Sequence, residues 1–208
     1  MVTLAVLLVG SYLLGSIPFG YFAGRLAGID IREAGSGNVG ATNVVRVLGK
    51  GYGYPVFALD FLKGLAAVTI SMLMAPGRPP EWNSPEIFGI LAAISSVLGH
   101  SYPPWLKFKG GKGVATSAGA LLALTPEATL IGVVIWIIVF CLTRYVSLAS
   151  ITAAVVLPIV ILVVNSQNQN RGKPLVYSSA CVAAMIIWRH RSNLSRLIRG
   201  TEPRFTRK

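Results

Sequence analysis

Seven apolar stretches, near 2–24, 52–75, 85–102, 114–125, 127–143, 147–164 and 175–189, take up most of this 208-residue chain and restrict its fold more than any other feature. Most approach the twenty or so residues with which a helix crosses the hydrocarbon of a bilayer. Only 12% of the residues are charged, and mean hydropathy is +0.65, which argues against a water-soluble globular domain. The expected class is all-α: a polytopic membrane protein with seven transmembrane helices, one of them short. A chain of this length leaves no room for a separate soluble domain, so residues 1–208 are expected to form a single integral membrane domain. Residues 1–24 carry no basic region ahead of the apolar run and no small-residue cleavage site, so they read as a retained span rather than a signal peptide.

The short span is Val114 to Leu124, separated from the next only by Thr125-Pro126. Charge decides whether it stands alone, because basic residues collect in cytoplasmic loops. With seven spans, one face gathers Arg25, Arg32, Arg46, Lys50, Lys107, Lys109, Lys112, Arg144 and the basic residues from Arg189 to Lys208. The other face has Arg78, Arg171 and Lys173, balanced by Glu81, Glu86 and Glu127. Fusing 114–143 into one helix would send the basic C-terminal region to the other side and erase the asymmetry. The expected topology therefore places the N-terminus outside and the C-terminus in the cytoplasm.

That topology brings three polar segments to the basic face. Gly35 to Asn43 reads G-S-G-N-V-G-A-T-N, with Arg46 one helical turn beyond Thr42. Its hydroxyls, amides and glycine-freed backbone N–H groups suit a phosphate or a developing oxyanion. Phe108 to Thr116 reads F-K-G-G-K-G-V-A-T and precedes a helix, so loop amides and lysines can meet an anion there. It lacks the full spacing of a nucleotide-binding P-loop, and a nucleoside triphosphate is not implied. His190 to Glu202 carries His190, Arg191, Asn193, Arg196 and Arg199. If the helix continues through it, His190, Asn193 and Leu197 share a face, and Gly200 would end the helix so that Glu202 folds back.

The remaining residues narrow the chemistry. The net charge of +12 fits anionic lipids and substrates better than nucleic acid in so apolar a chain. Cys141 and Cys181 lie in apolar runs and read as structural. Ser36 has no histidine in its own loop, and no G-x-S-x-G elbow occurs. Two histidines with sparse carboxylates make no metal-ligand set, so neither a metal nor a cofactor is expected. Asp60 and Lys63 share a helix face inside the second span, where they read as an internal ion pair. Gly10, Gly15 and Gly20 offer sites for close helix contact.

The three segments, in this order and within a seven-span chain, resemble the bacterial acyl-phosphate:glycerol-3-phosphate acyltransferases. The resemblance covers essentially the whole chain. It implies a single integral membrane acyltransferase domain in the bacterial inner membrane, with its active site on the cytoplasmic face. There a fatty acyl group would pass from acyl phosphate to the sn-1 hydroxyl of glycerol 3-phosphate. The products would be lysophosphatidic acid and phosphate, in the first step of phospholipid synthesis. The resemblance assigns Ser36 and Arg46 to the catalytic and phosphate-binding centre, with Gly37, Asn38, Thr42 and Asn43 beside them. Gly110, Gly111 and Gly113 would shape the glycerol 3-phosphate pocket, with Lys109 or Lys112 as its cation. Asn193 and Glu202 would be essential, and His190 would support substrate position. Membrane lipids and an enzyme that forms acyl phosphate are the other expected partners.

The histidine–aspartate dyad H-x-x-x-x-D of the other large class of glycerol-phosphate acyltransferases is absent, since Ser195 follows His190 at that spacing and Trp105 follows His100. An acyl phosphate carries its own good leaving group, so positioning and charge neutralisation suffice for direct attack without an acyl-enzyme. The proton acceptor is open among His190, Glu202 and the substrate's phosphate. The competing reading, a transporter for an anionic phosphorylated metabolite, requires polar residues along a path across the bilayer. Only Asp60 and Lys63 lie deep enough to suggest one.

Overall fold

The computed structural model describes residues 2–75, 84–166 and 173–205, and the chain is helical throughout these stretches apart from short connections. Arg78, Glu81, Arg171, Arg207 and Lys208, which contribute to the charge asymmetry above, lie outside the described residues. The ten α-helices of the described residues are α1 (Val2–Ser16), α2 (Phe19–Leu26), α3 (Ala41–Leu48), α4 (Lys50–Leu73), α5 (Pro85–Ser101), α6 (Val114–Leu124), α7 (Pro126–Thr143), α8 (Val146–Ser166), α9 (Lys173–Arg189) and α10 (Arg191–Ile198). Four spans among them are long and apolar enough to cross a membrane: Val2–Leu26, Lys50–Leu73, Pro126–Thr143 and Val146–Asn165. Helices α5 and α9 are 17 residues each, and α6 is 11.

Local chemistry accounts for the boundaries. Pro18 separates α1 from α2, because a proline disfavours helical backbone in the residue before it and donates no N–H. Ser84 Oγ accepts from Ile87 N at 3.3 Å, and Pro85 occupies the first turn of α5, a favourable helix start. Thr125 interrupts the chain between α6 and α7, and Pro126 opens α7. The 114–143 region is therefore two helices.

The helices fall into two compact units, Met1–Leu124 and Thr125–Lys208. In the first, α5 packs on α1 and α4, and α6 packs on α4. Glycines set these distances. A Cβ on Gly15 would collide with the Ser96 backbone and one on Gly99 with the Tyr12 carbonyl, so α1 and α5 touch backbone to backbone. Gly64 against Thr116 and Gly119 against Phe61 do the same for α4 and α6. Helices in lipid gain nothing from hiding apolar surface from one another, so such close van der Waals contact is what joins them. Of the three early glycines, Gly15 and Gly20 make close approaches, whereas nothing lies within 4 Å of a Cβ on Gly10; Gly10 therefore differs from the sequence expectation. In the second unit, α8 packs between α7 and α9, and α10 touches both α8 and α9. Cys141 and Cys181 are exposed on their helices.

Candidate active site

The first polar segment is a loop built around one buried side chain. Asn43 is 2% exposed; its Oδ1 accepts from Ser36 N at 2.8 Å, while Nδ2 donates to Ile31 O at 3.3 Å and Ala34 O at 3.0 Å. One amide side chain thus braces the loop on both sides of Gly35. Gly37 has φ +69°, a left-handed conformation that favours glycine, and a Cβ there would lie 2.9 Å from Arg32 O. Asn38 Oδ1 accepts from Gly40 N at 2.8 Å just before α3. Asp30 accepts from the guanidinium and the amide of Arg32, which hold its carboxyl down to about 2. Within this frame Ser36 and Arg46 are exposed and Thr42 is half-buried. Thr42 and Arg46, four apart on α3, share a face.

Apolar contacts join this loop to the second segment. Ile31, Val39 and Val44 form a buried cluster with Ala23, Val56 and Leu106, and Leu106 closes the short 3-10 turn Pro104–Leu106 just ahead of Lys109. The first two polar segments therefore stand on one core. Lys107, Phe108 and Lys109 are exposed, Lys112 is half-buried, and Gly110, Gly111 and Gly113 are buried.

The amides of Gly110 and Gly111 point elsewhere than expected. Gly110 N donates to Ser101 O and Gly111 N to His100 O, both at 3.1 Å. A helix end leaves its last carbonyls without intrahelical donors, and these two glycines satisfy α5 instead of presenting N–H groups to an anion. Lack of a side chain is what lets them approach: a Cβ on Gly110 would strike His100 O and the Pro103 ring, and one on Gly111 would strike the His100 imidazole.

The third segment lies in the second unit. Helix α9 ends at Arg189, and α10 begins at Arg191 with His190 as its N-cap, so the condition of one continuous helix through this segment is not met. Gly200 adopts φ +69°; its amide donates to Leu197 O at 3.1 Å and that of Thr201 to Arg196 O at 2.9 Å. This pair of bonds is the Schellman ending for which glycine is favoured. The turn folds Glu202 back, where it is 8% exposed. Its Oε1 accepts from Ser147 Oγ at 2.6 Å and Asn193 Nδ2 at 2.7 Å, and Oε2 from Arg196 Nε at 2.7 Å. Burial pushes the Glu202 carboxyl up, but these three donors outweigh it and hold it below the ordinary value of 4.5.

His190 is 3% exposed, and its Nδ1 lies 2.8 Å from Ile186 O. A carbonyl only accepts, so Nδ1 carries a proton. Sequence reasoning missed Ser147, which sits 55 positions from Glu202, and His100, whose contact with Gly111 has no local spacing signal. Buried hydroxyls also surround the second segment: among the described residues, Ser101, Thr116 and Ser117 have no hydrogen-bond partner for Oγ or Oγ1.

Long apolar helices joined by short polar, glycine-shaped connections define an integral membrane protein. The model of the glycerol-3-phosphate acyltransferase family matches residues 5–200. A glycerol-3-phosphate acyltransferase of Desulforamulus reducens is 45% identical over 202 residues, spanning 97% of this chain and 94% of the relative. Crystal structures of PlsY, an integral membrane glycerol 3-phosphate acyltransferase, superpose with a TM-score of 0.86 at 41% identity for its glycerol 3-phosphate form. The lysophosphatidic acid form gives 0.83 at 40% identity. The first comparison covers 98% of this chain and 96% of the other; the second covers 98% and 95%. The chain belongs to the glycerol-3-phosphate acyltransferase family.

Proposed function

We propose that this protein acylates the sn-1 hydroxyl of glycerol 3-phosphate with acyl phosphate as donor, releasing lysophosphatidic acid and inorganic phosphate. The observation that carries the reading is the common core beneath the first two polar segments, with Ser36 and Lys109 exposed on their loops and Arg46 exposed on α3. Family membership supplies the acceptor, and the glycerol 3-phosphate and lysophosphatidic acid forms of PlsY are consistent with it. All seven apolar helical spans cross the bacterial inner membrane, and the basic face is cytoplasmic. The two compact units act as one acyltransferase domain, fed by an enzyme that forms acyl phosphate.

The acceptor hydroxyl oxygen attacks the acyl carbonyl carbon, the bond from that carbon to the phosphate oxygen breaks, and phosphate leaves with the electron pair. Arg46 with Lys109 or Lys112 offsets the repulsion between two phosphates, and Ser36 donates to the developing oxyanion. Thr42 and Asn38 add donors near the anion. Gly37 and Asn43 set the loop, and Gly110, Gly111 and Gly113 set the pocket wall. Asn193 orients the acceptor. Glu202, already accepting from three donors and held ionised, is a poor proton acceptor and organises Asn193 and Arg196 instead. The hydroxyl proton goes to His190 Nε2, since the ring's other nitrogen is fixed as a donor by Ile186 O.

Purified protein in detergent is to be offered palmitoyl phosphate or palmitoyl-coenzyme A with glycerol 3-phosphate, with intact-mass analysis during turnover. Lysophosphatidic acid formed from palmitoyl phosphate, with no acylated protein, is the expected result. Preference for the thioester would overturn the donor, and an acyl group on Ser36 would overturn direct attack.

A further inference from the structure

Three ionisable side chains are buried inside the first unit, where the reaction above does not use them. Asp60 is 3% exposed, Lys63 4% and His100 8%. Lys63 Nζ lies 2.7 Å from Asp60 Oδ1 and donates to Ile17 O at 2.9 Å. His100 Nδ1 lies 3.4 Å from the same Asp60 oxygen. Ionisable groups within a membrane protein are expensive to keep, and apolar residues of similar volume often pack as well or better. Packing alone does not account for this cluster.

The far edge of the imidazole supplies the reason. His100 Nε2 occupies the place where a Cβ on Gly111 would go, and the His100 carbonyl crowds Gly110 while accepting from Gly111 N. Asp60 and Lys63 belong to α4, and α4 also places Gly64 against the Thr116 backbone in the first turn of α6. One helix thereby fixes the second glycine segment at both ends, through Asp60 and His100 at Gly110–Gly111 and through Gly64 at Thr116. The lysines beside those glycines inherit their placement from this contact.

We propose that His100, held by Asp60 and Lys63, is a positioning residue that sets the Gly110–Gly113 segment and so the affinity for glycerol 3-phosphate. The inference rests on the reading of that segment as the wall of the glycerol 3-phosphate pocket. His100 acts through the glycine backbone and touches no substrate.

Steady-state kinetics on the full chain in detergent test it, with each substrate varied in turn, for wild type, His100→Ala, His100→Asn, Gly111→Ala and the double variant His100→Ala/Gly111→Ala. His100→Ala is expected to raise KM for glycerol 3-phosphate on the order of tenfold, with kcat and KM for palmitoyl phosphate within about threefold, the pattern of lost uniform binding. His100→Asn keeps a donor near the position of Nδ1 and is expected to recover part of the loss. Gly111→Ala should impair the enzyme beside the native ring but add nothing once the ring is gone, so the double variant should match His100→Ala. Should His100→Ala fail to fold, His100→Asn, which keeps a polar group at the Nδ1 edge of the ring, and Gly111→Ala decide the question through the same KM. Unchanged KM for glycerol 3-phosphate in folded variants, or additive losses in the double variant, would sink the inference and leave the activity standing. No turnover by wild type would remove the proposed activity and the inference with it.

Discussion

Removing the Glu202 side chain should unseat the C-terminal segment of the second unit. Ser147 and Asn193 are 5% and 6% exposed, and in Glu202→Ala both lose a carboxylate acceptor at 2.6 and 2.7 Å. Hydrogen bonds to a charged group contribute about 1.5–3 kcal/mol each, so the two together amount to about 3–6 kcal/mol. The Arg196 side chain is 37% exposed and its bond is screened by solvent, so it adds about 1 kcal/mol or less. Water entering from the exposed side would re-pair some donors and favours the lower bound. At about 2–4 °C per kcal/mol for a chain of this size, the melting temperature should fall by at least about 6 °C. Glu202→Gln keeps an amide oxygen for one donor and should fall between wild type and Glu202→Ala. Tryptophan fluorescence during heating in detergent reads both, since Trp136 and Trp188 lie in that unit. Melting of Glu202→Ala within about 2 °C of wild type would refute the argument that these three bonds hold the segment.

Three further outcomes follow from particular residues. The Glu202 carboxyl is depressed below 4.5 in the folded protein, so the stability it contributes is complete above that pH and is lost as pH falls through the lowered folded value; the melting-temperature difference between wild type and Glu202→Gln should therefore shrink in acid, and a constant difference would contradict the sign. His190→Ala should lower kcat by about 100-fold or more with little change in either KM, as for loss of a general base, whereas kcat within about threefold of wild type would hand the proton to the substrate's phosphate. Gly37→Ala forces a β-carbon onto Arg32 O in a left-handed turn, at a cost of about 1–3 kcal/mol, and should lower kcat/KM through the Ser36 loop; Gly28→Ala, with positive φ but nothing within 4 Å of its Cβ, is the control that should leave kcat/KM near wild type.

The helices were legible because their signals are local. Apolar runs of span length, Pro126 at the head of α7 and Gly200 after α10 all act within a few residues of where they appear, whereas the break at Pro18 falls inside a run read as one span. The polar segments were legible as places where an apolar chain spends glycine and charge. Their internal wiring was not. Asn43 looked like one more donor for a ligand, yet its amide is taken up by Ile31, Ala34 and Ser36, because a loop of this shape leaves backbone groups that a buried side chain has to satisfy. Gly110 and Gly111 read as an anion cradle, but the end of α5 claims their amides first. Ser147 with Glu202 and Asp60 with His100 are pairs formed across tens of residues, and tertiary packing alone brings them together.

Acceptor-dependent phosphate release tests the account most directly. Phosphate freed from palmitoyl phosphate is to be followed with and without glycerol 3-phosphate for wild type, Ser36→Ala and Asn193→Ala, one variant in each compact unit. The account predicts release that requires glycerol 3-phosphate, matches lysophosphatidic acid mole for mole, and is lost in both variants while their melting temperatures stay measurable. Release independent of glycerol 3-phosphate, or full activity in a folded Ser36→Ala or Asn193→Ala, would contradict it.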